Sequence, residues 1–277
     1  MAITAKEVNE LRKKTGAGMM DCKKALVEAD GDMNEAVDLL RKQGQKIAAK
    51  RGDRDATEGL VIAKSTGAKG VLVCVNCETD FVAKNEAFGE FANSIVDIVI
   101  ANGPSTVDEL KSLSYSGNGM TVGEKITEQS GVIGEKIDIS GLETVEAAKV
   151  VAYNHPGNQI ATIVGLTADN EDEGKQVAMQ IAAMNPISVD ESSVPQDVID
   201  RELSVGRELA IQEGKPEEMA DKIAQGRLKK FYKETTLLNQ MFVRDNKKTV
   251  KQFLTETNPD LTVTDFKRIS LSIRSEE

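Results

Sequence analysis

The string most suggestive of chemistry is Cys74-Val75-Asn76-Cys77, whose C-x-x-C spacing serves thiol redox sites and zinc sites alike. A redox pair needs a turn that feeds a helix N-terminus, because that environment lowers the thiol pKa. Here the string continues a run of alternating residues that reads as a strand, where positions three apart point to opposite faces. A zinc site would need two further ligands, and Cys22 and His155 are the soft candidates left. The spacing favours structural cysteines, with a thiol redox or zinc-binding protein using Cys74 and Cys77 as the rival reading. His155 is the single histidine, and no Ser or Cys nucleophile pattern accompanies it, so it cannot be cast as the base of a triad. It falls in a turn beside Pro156, either as a contact to a partner or as a neutral surface residue. Gly117-Asn118-Gly119 and Gly131-Val132-Ile133-Gly134 lack both the G-x-x-x-x-G-K-[ST] and the G-x-G-x-x-G spacing. No nucleotide pocket, metal site, cofactor or enzymatic activity is expected of this chain.

Thr79-Asp80-Phe81-Val82 differs in kind. An aromatic residue beside an acid follows a strand end and precedes a helix, in a loop that needs no core residue. Two readings stay open: Phe81 staples back onto the following helix while Asp80 helps to cap it, or the segment projects into a partner.

The elements around these residues follow from periodicity and capping. Thr4 with Glu7 has the S/T-x-x-E form of a capping box, and Thr15-Gly16-Ala17-Gly18 breaks the helix that it opens. Cys22, Ala25, Leu26 and Ala29, then Met33, Ala36, Val37 and Leu40, repeat at helical spacing. Residues 1–43 thus read as a three-helix docking module, and residues 44–56 as a basic linker carrying Lys46, Lys50, Arg51 and Arg54. The period then changes. Gly59 to Ala63 and Gly70 to Cys77 read as a hairpin around Ser65-Thr66-Gly67-Ala68. A loop from Glu78 to Lys84 follows, then a helix with Phe88, Phe91, Ala92, Ile95 and Val99 on one face that ends at Asn102-Gly103-Pro104. A similar order recurs: strands Lys149 to Tyr153 and Gln159 to Leu166, an acidic loop Asp169 to Glu173, and a helix closed near Asn185-Pro186. Two related α+β subdomains are expected, 57–146 and 147–277, the second holding an antiparallel helical hairpin at about 190–231. Pro195, Gly214 and Pro216 punctuate that hairpin. Its stripe of Met219, Ala220, Ile223 and Ala224 suits self-packing, a partner or a second copy of the chain. The tail returns to a strand pattern at Phe266, Ile269, Leu271 and Ile273.

Composition bounds the partners. The chain has 277 residues and a formal net charge of −10, so phosphate neutralisation on nucleic acid or on an anionic membrane is not expected. Three cysteines do not make a disulfide framework, and MAITAKEVNE has no hydrophobic signal core, which together predict a cytoplasmic location.

Leu11-Arg12-Lys13-Lys14-Thr15-Gly16-Ala17-Gly18-Met19-Met20-Asp21-Cys22-Lys23-Lys24-Ala25-Leu26 and Val75-Asn76-Cys77-Glu78-Thr79-Asp80-Phe81-Val82-Ala83-Lys84-Asn85 resemble the signatures of the bacterial translation elongation factor Ts family. Gly214-Lys215-Pro216 and Gly226-Arg227 to Phe231 resemble a third family stretch in the helical hairpin. The resemblance implies an amino-terminal bundle of the ubiquitin-associated type, two related subdomains and the inserted hairpin. It also implies a guanine-nucleotide exchange factor for elongation factor Tu. On that resemblance Met19 and Met20 contact the partner's G domain, and Thr79, Asp80, Phe81 and Val82 intrude near its magnesium site. His155 falls where family members carry a histidine, although Gly157-Asn158 replaces their commoner Gly-Gly. The extra carboxy-terminal module of the longer members is expected to be absent. A pure binding module without exchange activity is the remaining alternative.

Overall fold

The computed structural model describes residues 3–115 and 119–271. These form two compact units, one from residues 3–62, 73–142 and 271, the other from residues 63–72 and 143–270. The division differs from the contiguous 57–146 and 147–277 read from the sequence. The connecting end of the first hairpin counts with the second unit, and the later boundary falls within a strand.

The first unit opens with helices α1 (Ala5–Thr15), α2 (Met19–Glu28) and α3 (Met33–Arg51). Thr4 and Glu7 form the reciprocal capping box, with Thr4 N–H donating to Glu7 Oε2 at 2.7 Å. Gly16, at φ +72°, ends α1 in the left-handed conformation that costs a residue without Cβ nothing. Asp32 Oδ1 caps α3 by accepting from the Asn34 and Glu35 N–H groups. Leu11, Cys22, Leu26 and Ala36 are fully buried between the three helices.

Helix α3 corrects the expected linker. It continues to Arg51, so residues 44–51 of the basic stretch are helical. Gln, Lys and Ala keep the helix going there on propensity, without a strong apolar stripe. The chain then forms β1 (Glu58–Ser65) and β2 (Lys69–Cys77), followed by a one-turn helix α4 (Asp80–Ala83). Helix α5 (Glu86–Asn102) buries Phe88, Phe91, Ala92, Ile95, Val96 and Val99 and stops at Gly103, φ +64°. Next come α6 (Val107–Ser112), the short pair β3 (Ser114–Tyr115) and β4 (Met120–Thr121), α7 (Val122–Ile133) and β5 (Asp138–Glu146). The sheet order is β1-β2-β5.

Helices α3 and α7 cross at two glycines. A Cβ on Gly131 would lie 2.2 Å from Gly44 Cα. The crossing exists because neither position carries a side chain.

The second unit repeats the hairpin-then-helix order with β6 (Lys149–Asn154), β7 (Ile160–Leu166) and α8 (Glu171–Met184), the last closed by Asn185 at φ +45°. The acidic stretch from Glu171 to Glu173 is the first turn of α8, not a loop, which suits carboxylates at a helix N-terminus. Helices α9 (Gln196–Gln212) and α10 (Glu217–Thr235) form the long hairpin, with Pro195 and Pro216 each immediately before its helix and Gly214 at φ +78° in the turn. β8 (Met241–Phe242), β9 (Asp245–Thr249), α11 (Val250–Thr257) and β10 (Val263–Ser270) complete the unit, with β10 antiparallel to β7 in the order β10-β7-β6. Ile273 of the expected tail strand lies outside the described residues. Buried Gln180 has both ends of its amide partnered: Nε2 donates to Gln240 Oε1 and the Met241 carbonyl at 3.1 Å each, and Oε1 accepts from Val243 N–H at 2.9 Å. This is the satisfaction that a buried amide requires. The observed fold is α+β. Among the described residues, no helix is long and apolar enough to cross a membrane.

Candidate functional site

Strand β2 ends at Cys77, and Thr79 begins α4 as its N-cap, with its Oγ1 accepting from Val82 N–H at 3.4 Å. Ala83 and Lys84 N–H groups close the turn on the Thr79 and Asp80 carbonyls at 3.2 and 3.0 Å. Asn85 then caps α5 by accepting from Ala87 N–H at 2.9 Å. The segment read as a loop is thus one helical turn wedged between a strand and a long helix. Four residues are too few for any apolar period to appear.

Phe81 is 83% exposed. It does not staple onto α5, and the cap of α5 is the Asn85 side chain, not Asp80. Asp80 instead pairs with Lys84 at 2.6 Å, whose ammonium holds the Asp80 carboxyl below the usual carboxylate range. Val82 is half-buried and lines a groove of about 610 Å³ with Gly16, Asn85, Phe88, Phe91 and Tyr115. The turn after α1 and the α4 turn therefore share one surface groove. Met19 and Met20 lie in the first turn of α2, just beyond Gly16, and are 57% and 63% exposed. His155 lies in the second unit, exposed in the β6–β7 turn, where Tyr153 Oη and its Nδ1 are 3.0 Å apart.

The cysteines are packed differently from a redox pair. Cys74 and Cys77 are buried in β2; Cys74 Sγ donates to Asn76 Oδ1 at 3.5 Å and Cys77 Sγ to the Thr79 carbonyl at 3.2 Å. Burial pushes the Cys77 thiol up, the Glu135 carboxylate adds to the effect, and its pKa reaches about 12. Burial also raises Cys74 and Cys22. A thiol titrating at about 12 is ionised to roughly one part in 10⁴ at pH 8. An aromatic disulfide reagent at pH 8 should label none of the three cysteines of the native chain within minutes and all three after denaturation. Rapid native labelling of Cys77 would restore the redox reading. Among the described residues no group of three or more His, Cys, Asp or Glu side chains converges to hold a metal ion.

Two features escaped sequence reasoning. Glu135 reaches the α4 turn from a segment 56 residues further on, and Gly131 was visible only as part of a glycine-rich string without nucleotide-binding spacing. The alternation of Gly131 and Gly134 acquires a structural meaning: the first permits the α3 crossing, and the second ends α7 at φ +81°.

The site is thus an exposed Phe on an anchored turn of a two-unit α+β chain. The sequence profile of the family described as Elongation factor TS matches residues 78–272. The chain is 52% identical to Elongation factor Ts of Amoebophilus asiaticus, over 97% of this chain and 99% of that relative. It is 49% identical to Elongation factor Ts of Christiangramia forsetii, over 97% and 98%, and 47% identical to that of Azobacteroides pseudotrichonymphae, over 99% and 100%. The chain belongs to the elongation factor Ts family, and its role is that of a translation elongation factor.

Proposed function

We propose that this chain binds elongation factor Tu and accelerates its release of GDP by inserting Phe81 into it, so that GTP can reload. The observation that carries the reading is an aromatic side chain 83% exposed on a turn tied down at both ends. An aromatic anchor buried at an interface supplies a few kcal/mol. Exchange is linkage: a factor that loosens GDP must itself bind more weakly when GDP is present, by the same ratio. A shift of about 10⁴ in that balance takes about 5.5 kcal/mol of differential affinity. Magnesium clamps nucleotide phosphates, and a wedge that displaces the partner groups around the ion speeds nucleotide loss. Asp80 contributes polar contacts to the displaced segment and holds no metal itself. Met19 and Met20 dock the G domain, and His155 is a further contact from the second unit. The chain acts as an exchange factor of the cytoplasm, with no nucleotide, nucleic acid or membrane bound by itself.

Catalytic amounts of the chain should accelerate the release of labelled GDP from Tu. Complex formation with an unchanged release rate would leave a docking protein, a role that exposed Met19 and Met20 also suit.

A further inference from the structure

Three segments of the first unit converge beneath the Phe81 turn: the end of α3, the end of β2, and residues 135–137 between α7 and β5. Two carboxylates join them. Glu135 Oε2 accepts from the successive N–H groups of Glu78 and Thr79, both at 3.1 Å, and its Oε1 accepts the Thr79 hydroxyl proton at 2.7 Å. That last bond fixes the direction of the hydroxyl, which leaves a lone pair for Val82 N–H. Glu78 faces the other way. Its Oε1 accepts from Arg51 Nη1 at 2.8 Å and from Lys136 N–H at 2.6 Å, and its Oε2 accepts from Arg54 Nη1 at 3.1 Å. The Lys136 ammonium donates in turn to the Gly52 carbonyl at 2.8 Å. Burial alone would push the Glu78 carboxyl up. The Lys136 N–H bond and the two arginines outweigh it and bring the pKa to about 2, so the carboxylate is ionised throughout the neutral range.

We infer that Glu135 and Glu78 are positioning residues for nucleotide exchange: Glu135 aims the turn that bears Phe81, and Glu78 locks that turn to the last turn of docking helix α3. The inference rests on the proposed exchange function. Charge-assisted bonds to neighbouring backbone N–H groups hold a turn in one orientation more strictly than neutral ones. A helical turn of four residues has no other long-range polar anchor of comparable number among the described contacts. Arm and wedge are thereby presented to the partner as one preorganised piece, with the ordering cost met before binding.

The test uses the full chain with E135Q and E78Q, which keep side-chain volume but lose the negative charge. T79V serves as a second, milder route to the Glu135 contact. Amide hydrogen exchange of the free chain is read first. E135Q should expose the Glu78, Thr79 and Val82 amides, while the α5 amides of Ile95 and Val96 stay protected and report an intact fold. Steady-state GDP release from Tu is read second. The kcat for release should fall about 10- to 100-fold in both Glu variants, the cost of a misplaced reacting group, with KM for Tu changed less than about 2-fold because the Met19 and Met20 surface is retained. E135Q and T79V together should cost less than the sum of the two, since both weaken the Thr79 hydroxyl bond to residue 135, while T79V alone also loses the cap on Val82 N–H. Turn amides that stay protected in E135Q overturn the inference, as does a wild-type kcat or a loss confined to KM. If E135Q exposes the turn but the unaltered chain does not accelerate GDP release, the bracket is present and the exchange function itself fails, taking the positioning role with it.

Discussion

Phe81→Ala is expected to slow chain-stimulated GDP release from Tu by roughly 30- to 1,000-fold, the kinetic equivalent of losing an aromatic anchor worth about 2–4 kcal/mol. The chain itself should not notice the change. Phe81 is 83% exposed and outside every buried cluster described for the first unit, so its truncation removes little packing. Surface substitutions of this kind shift stability by about 0.5 kcal/mol or less. The pairing of a large functional loss with an unchanged melting curve is what separates a wedge from a structural aromatic. Stopped-flow release of fluorescent GDP and calorimetry on the same preparation measure both. Unchanged release rates would remove Phe81 from the mechanism, whereas a matching fall in Tm would return it to the role of a packing residue.

Gly131→Ala is expected to destabilise the first unit, although alanine is the better helix former. On propensity alone the substitution in the last turn of α7 should gain up to about 1 kcal/mol, the figure for a helix interior. The new methyl, however, would stand 2.2 Å from Gly44 Cα, 2.7 Å from its carbonyl carbon and 2.9 Å from its carbonyl oxygen. All three are backbone atoms, so relief requires α3 to move away from α7 along its length. Overpacking typically costs about 1–3 kcal/mol when side chains can yield, and here they cannot. A fall in Tm of roughly 2–8 °C follows for a net loss of about 1–2 kcal/mol in a domain of this size. Gly44→Ala is the matched control. Its methyl would meet Gly131 Cα at 3.3 Å, a distance that a few tenths of an ångström of adjustment accommodates. Differential scanning calorimetry of the two variants should rank them widely apart. Equal Tm values would mean that the helices separate at no cost.

Local chemistry was legible wherever it left a period or a cap. The buried repeat of Cys22, Ala25, Leu26 and Ala29, the α5 face from Phe88 to Val99 and the left-handed stops at Gly103, Asn185 and Gly214 stand where their spacing and residue types place them. The extension of α3 beyond residue 43 was not legible, because its outer surface is mostly polar and the buried position there is Gly44, which carries no hydropathy signal. The α4 turn was hidden by its length. Exposed Phe81 could be singled out as an aromatic in a position that needs none, but whether it folded back or projected depended on packing against α5 that no spacing rule encodes. Glu135 was invisible for a different reason. One glutamate after a glycine is ordinary, and its three bonds to Glu78 and Thr79 close a loop of 56 or 57 residues that tertiary structure alone brings together.

The exposed side chains of Met19, Met20 and Phe81 also bear on how copies of the chain coexist in solution. Apolar points left open for a partner are equally open to one another, and on a neutral surface they would invite clumping. The formal charge of −10 opposes this by keeping like-charged copies apart over about a Debye length, roughly 8 Å at physiological ionic strength. The net negative charge thus favours solubility. It lets the chain carry sticky residues at high concentration without covering them.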